Sequence, residues 1–110
     1  MTQTEISLLY VTAPDAATAD QIGRALVEER LAACANILPE MRSVYRWRGA
    51  VETADEAVLI VKTTKAAARL ARDRILALHP YETPCIMAIP LAGDGSNPAY
   101  LDWVVGEISS

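Results

Sequence analysis

Two consecutive strand-helix-strand patterns of similar length, an aliphatic core alphabet with no Phe, and only one flexible Gly/Pro-rich stretch, close to the end, together predict an α+β domain. The class they define is a ferredoxin-like split βαβ sandwich, with a long hairpin between its second and third strands and a short C-terminal helix. Hydrophobic residues make up 52% of the 110 positions while aromatics make up 5%, so the core must be Ala, Val, Leu and Ile. Such a core suits helices packed closely on a sheet. A chain of this length buries roughly 65% of its unfolded surface and needs no cofactor merely to fold. No linker divides it, and residues 1–110 read as a single domain.

The elements follow in order. Residues 6–12 are nearly continuous apolar β-formers, as in a central strand, and Ala13, Pro14 and Asp15 end it. Asp15 is positioned to cap a helix over residues 16–33, with Ile22, Ala25, Leu26 and Ala33 near helical spacing. Residues 34–38 return to extended character. Pro39 interrupts them, and residues 41–47 resume with Ser43, Tyr45 and Trp47 on one face and Arg42, Val44 and Arg46 on the other. A proline there implies an edge or bulged strand. Arg48, Gly49 and Ala50 turn the chain back into residues 51–63, which end in the buried-type run Ala57, Val58, Leu59, Ile60, Val61. Thr64 caps a second helix over residues 65–78, with Ala67, Leu70, Ala71, Ile75 and Leu78 on its apolar face. Residues 85–91 form a last strand, and residues 99–108 a short helix docking through Tyr100, Trp103 and Val104.

The formal charge of −4 and pI near 4.9 argue against a general nucleic-acid or anionic-membrane binder. The opening residues lack a signal-peptide pattern, no apolar run approaches the ~20 residues of a membrane span, and the expected location is cytoplasmic. Two cysteines about fifty positions apart match no CxxC or paired zinc spacing, so both are expected as thiols in that reducing compartment. In the usual strand order of this fold they lie on opposite edges, roughly 14 Å apart at ~4.8 Å per strand, beyond the reach of a disulfide.

The richest chemistry lies in residues 79–85, His-Pro-Tyr-Glu-Thr-Pro-Cys, which hold the only histidine. His79, Glu82 and Cys85 supply an imidazole, a carboxylate and a thiol, donor types that suit copper or zinc. In an extended segment His79 and Cys85 would stand up to ~20 Å apart at ~3.3 Å per residue. One metal joins all three only across a tight bend or between subunits. The alternative is a stiff helix-to-strand corner, with His79 closing the helix and Pro80 forbidding its continuation. No phosphate loop, nucleophile elbow or orienting partner for the histidine is present, so the chain is not read as an enzyme. The hairpin is longer than a four-stranded sandwich needs and carries Tyr45 and Trp47 on one face, which predicts a closed homo-oligomer covering it.

Five strings carry a resemblance that spans nearly the whole chain. They are Val11-Thr12-Ala13-Pro14 with Ala33-Cys34-Ala35-Asn36-Ile37-Leu38-Pro39, Ser43-Val44-Tyr45-Arg46-Trp47-Arg48-Gly49, Lys62-Thr63-Thr64, His79-Pro80-Tyr81-Glu82-Thr83-Pro84, and Tyr100-Leu101-Asp102-Trp103. In this order they resemble the divalent-cation tolerance family called CutA. The resemblance implies a ferredoxin-like fold, a homotrimer held by inter-subunit β-pairing, and an association with divalent metals, copper in particular. Many members of that family carry glutamate where this chain has Cys85, a change that shifts a metal site toward softer ions such as Cu(I). The expected cofactor is therefore copper or another divalent cation, with His79, Glu82 and Cys85 as candidate ligands. A second reading is a small-molecule pocket at a subunit seam, with Arg46, Trp47, Lys62 and Tyr81 as charged and aromatic contacts. A third makes the protein a trimeric scaffold, with Tyr45, Trp47 and Tyr81 as interface core.

Overall fold

Burial alternates along the first strand, β1 (Ile6–Ala13): Leu9, Val11 and Ala13 are sealed, while Leu8, Tyr10 and Thr12 are only half-buried. That period of two gives the sheet a core face and an open face. The structure, a computed structural model, describes residues 5–108. The elements after β1 are α1 (Ala16–Glu28), β2 (Cys34–Trp47), β3 (Ala50–Thr64), α2 (Lys65–Leu78), β4 (Ile86–Pro90) and α3 (Pro98–Glu107). All four strands pair antiparallel in the order β2-β3-β1-β4, the ferredoxin-like arrangement the sequence predicts. The two cysteines belong to opposite sides of the sheet, Cys34 on β2 and Cys85 just before β4, and both are free thiols.

Helix α1 covers β2 and β3, and α2 covers β1 and β4. Leu9, Val11, Leu59 and Val61 meet Ile22, Leu26 and Ile75 in one core of aliphatic side chains. Burying each such side chain is worth about 1.5–3 kcal/mol. Helix and sheet approach closely at Gly23, where an added Cβ would stand 2.9 Å from the Ala35 Cβ and 3.2 Å from Leu59 Cδ1. The Asp15 carboxylate accepts from the Thr18 N–H at 2.7 Å, and Thr64 Oγ1 accepts from the Ala67 N–H at 3.1 Å, so both expected caps form. The Thr18 bond holds the Asp15 carboxyl below its ordinary value.

Several boundaries differ from the sequence expectation. Helix α1 stops at Glu28, well before Ala33, because Arg30 takes a left-handed conformation (φ 59°) and the Leu31 N–H turns back to Leu26 O at 2.9 Å. Ala32 and Ala33 then enter the core outside the helix. Leu70 does not join the buried face of α2 and is 61% exposed, since Ala67, Ala71 and Ile75 complete that stripe. Ala50 belongs to β3, pairing with Trp47 across a two-residue turn in which Arg48 and Gly49 both have positive φ, 50° and 83°. This turn matches the twist of the strands it joins. Strand β4 begins at Ile86 and ends at Pro90, one residue inside each expected end. On α3, Val104 docks against Ile6 and Ala33, whereas Tyr100 and Trp103 stay exposed.

Pro39 lies within β2 rather than breaking it. Leu38 pairs with Val58 and Met41 with Glu56, so Pro39 and Glu40 together oppose the single residue Ala57 in a bulge. A bulge reverses the side-chain parity of everything beyond it. Before it, Cys34, Asn36 and Leu38 pair with Lys62, Ile60 and Val58 on the open face; after it, Ser43, Tyr45 and Trp47 pair with residues of that same face. The far end of the hairpin carries them beyond the body, giving extents of 50 × 27 × 21 Å.

Candidate functional site

The chain from α2 to β4 closes over one end of the open face, and His79 ties it down. The Tyr81 N–H donates to His79 Nδ1 at 3.1 Å, so that nitrogen is the unprotonated one. The other, Nε2–H, then donates to the Thr12 carbonyl at 2.7 Å. His79 is 8% exposed, and both of its ring nitrogens are spent on the backbone. The Thr12 N–H in turn bonds Cys85 O at 3.4 Å, so one residue of β1 anchors both ends of the corner. Pro80 and Pro84 bracket the intervening turn and stiffen it.

This folding makes a cavity of about 690 Å³ between the corner and the hairpin. Tyr10 and Glu56 form its floor on the sheet, Tyr45 and Trp47 its hairpin wall, and Tyr81 and Cys85 part of the opposite wall. The Tyr81 hydroxyl donates to Glu56 Oε2 at 2.8 Å, and the Tyr81 ring leans on His79 with centroids 4.8 Å apart. Partial burial, then the bond to Glu56 and its charge, push the Tyr81 hydroxyl up to about 12. Glu56 itself is 9% exposed. At the mouth, the Arg48 guanidinium lies 5.6 Å from the Trp47 ring centre and 3.9 Å from Glu82 Oε2.

Of the three candidate metal ligands, Glu82 and Cys85 line the cavity while His79 sits behind it with no free nitrogen. Among the described residues no group of three His, Cys, Asp or Glu side chains gathers to hold a metal ion. The donor set of a single chain therefore does not fit a resident metal. Of the four proposed ligand contacts, Trp47 and Tyr81 share the cavity. Arg46 folds back to donate to Gly49 O at 3.4 Å on the turn, and Lys62 lies by α3, donating to the Tyr100 hydroxyl at 3.2 Å. The cavity residues that sequence reasoning missed are Tyr10, Thr12, Ser43, Val44 and Glu56. Glu56 is a carboxylate directly beside the buried run of β3, and that oddity was its only local signal.

Fold and site together define a small ferredoxin-like α+β protein whose open sheet face carries a half-closed aromatic cavity. The chain belongs to the CutA1 divalent ion tolerance protein family, whose model matches residues 7–107. It is 47% identical over 97 residues to the divalent-cation tolerance protein CutA of Thermus thermophilus, covering 88% of this chain and 92% of that one. Against mouse protein CutA it is 37% identical over 99 residues, 90% of this chain but 55% of the mouse protein. Among solved structures, the Thermus thermophilus divalent cation tolerance protein superposes with a TM-score of 0.90 at 44% identity, over 94% of this chain and 99% of that one. CutA1 from Oryza sativa gives 0.92 at 33% identity, over 99% and 98%.

Proposed function

We propose that this chain serves divalent-cation tolerance, copper foremost, as a cytoplasmic, non-catalytic homotrimer that responds to metal ions. The observation that carries the oligomer is the uncovered apolar surface of sheet and hairpin. Leu38, Met87 and Ile89 are 52%, 55% and 44% exposed, and the hairpin is apolar on both faces, with Trp47 on one and Val44 and Val51 on the other. Strands β2 and β4 are the two edges of the sheet, one long and one short. Pairing β2 of one copy with β4 of the next is a head-to-tail contact that closes a ring and removes both edges.

Metal contact is proposed across the seam of that ring. Of the three candidate ligands, Glu82 and the Cys85 thiol are the two that a single chain leaves at the cavity, and a neighbouring copy completes the set. A thiolate among them favours a soft ion such as Cu(I). Light scattering at micromolar concentration is expected to give about three times the 11.9 kDa chain mass; a monomer overturns the reading. Calorimetry and X-ray absorption with copper and zinc should then differ between the native protein and Cys85→Ser, and equal affinities remove Cys85 from the site.

The volume of the cavity favours a second reading, in which the response is to a small-molecule effector bound at the seam. Some 690 Å³ far exceeds what a bare ion occupies and falls in the range of small-molecule sites.

A further inference from the structure

The cavity's walls are selective about charge. Within one chain Glu56 and Glu82 both line it and no lysine or arginine does, while Tyr10, Tyr45, Trp47 and Tyr81 supply four aromatic rings. Glu56 is the decisive group. It is 9% exposed, its Oε2 accepts from Tyr81, and among the described residues no other donor and no cation pairs with it. A carboxylate so far removed from water is costly unless a positive partner reaches it. The hydrogen bond from a neutral phenol compensates only part of that charge.

A cation of the chain already tests the mouth of the site. Arg48, whose side chain is 77% exposed, places its guanidinium over Trp47 and beside Glu82, touching one ring and one carboxylate of the cavity lining. Aromatic faces and a carboxylate therefore attract a weakly hydrated organic cation here, within the protein itself. A bare divalent ion demands several oxygen, nitrogen or sulfur donors converging on one point at about 2.0–2.6 Å, and among the described residues of one chain no three His, Cys, Asp or Glu side chains converge.

We infer that the cavity binds an organic ammonium, an alkylamine or quaternary amine, with its nitrogen on Glu56 and its apolar substituents against Trp47, Tyr45 and Tyr81. This rests on the effector reading of the cavity and supplies its ligand class. The positive nitrogen neutralises the buried carboxylate, and its alkyl groups displace water from the ring faces. Arg48 is then a competitor that the ligand must push from the mouth.

The test uses the purified oligomer and calorimetry with butyltrimethylammonium, neutral 1-hexanol and anionic hexanoate. The ammonium is expected to bind at least about tenfold more tightly than either of the others. Glu56→Gln should weaken it by about tenfold or more while leaving hexanol unchanged, and Arg48→Ala should tighten it by about twofold. Melting temperature and oligomeric mass establish that Glu56→Gln is folded; if it is not, Trp47→Leu and Arg48→Ala carry the same test. Equal binding of all three probes overturns the ammonium assignment and leaves the effector cavity standing. Binding of none at millimolar concentration overturns both. Displacement of the ammonium by stoichiometric copper or zinc assigns Glu56 to metal and also overturns the inference.

Discussion

Replacing His79 with alanine separates a structural histidine from a metal ligand. The imidazole donates to the Thr12 carbonyl at 2.7 Å and accepts from the Tyr81 N–H at 3.1 Å, with 8% of the residue exposed. Each bond contributes about 0.5–1.5 kcal/mol net, and a buried carbonyl left without its donor costs about 1–3 kcal/mol. Both bonds are partly buried, so each partner left behind carries part of that cost. Loss of the ring also leaves a void beneath the corner. Together these give a destabilisation of about 2–4 kcal/mol, which is large for a domain held by about 5–15 kcal/mol. Guanidinium unfolding followed by tryptophan fluorescence reads it directly, with metal-free protein at matched chain concentration so that oligomer mass action does not intrude. Nitrogen-15 spectra of the native protein should show the proton on Nε2, with Nδ1 bare. A metal-free His79→Ala protein within about 0.5 kcal/mol of the native one, yet weakened in copper or zinc affinity, would refute the structural role and return His79 to the metal.

Two other outcomes follow from the packing and the site. Gly23→Ala should destabilise by about 1–2 kcal/mol in thermal unfolding: the new methyl meets the Ala35 Cβ at 2.9 Å, which is fixed to β2, and overpacking outweighs the helix-propensity gain of about 1 kcal/mol. A stabilised variant would mean that α1 can lift from the sheet without loss. For Tyr81, a folded value raised to about 12 from an ordinary 10.0 means that the native state favours the protonated phenol. Its contribution to stability is complete below pH 10 and is lost as the pH rises from about 10 to about 12. Ultraviolet titration should show Tyr81 ionising late, brought earlier by Glu56→Gln, and an identical titration of Tyr81 in both proteins would count against the Tyr81–Glu56 bond.

Most of the fold was legible locally because its signals are local. Asp15 and Thr64 cap the helices they precede, apolar runs mark β1 and the second half of β3, and the order of elements leads to the strand order observed. The end of α1 was not legible, since nothing in the composition of residues 29–33 demands that Arg30 adopt positive φ; the core's claim on Ala32 and Ala33 does. At the site, the sequence singled out residues 79–85 and the aromatic hairpin, and both meet at one cavity. It also grouped Arg46 and Lys62 with them, which the structure sends to the turn and to α3.

By itself, then, the sequence determined the α+β class, the elements, the family and the stretch where the chemistry concentrates. Periodicity, caps and motif strings are properties of neighbours along the chain. The tertiary structure alone decided what that chemistry is free to do. The bulge at Pro39 and Glu40 turns Tyr45 and Trp47 onto the face of Glu56, and contacts across 67 and 25 positions commit His79 to Thr12 and Tyr81 to Glu56. Register and hydrogen-bond partnering join residues that only the completed sheet brings together. They leave a buried carboxylate among aromatic rings where the sequence alone suggested a metal triad.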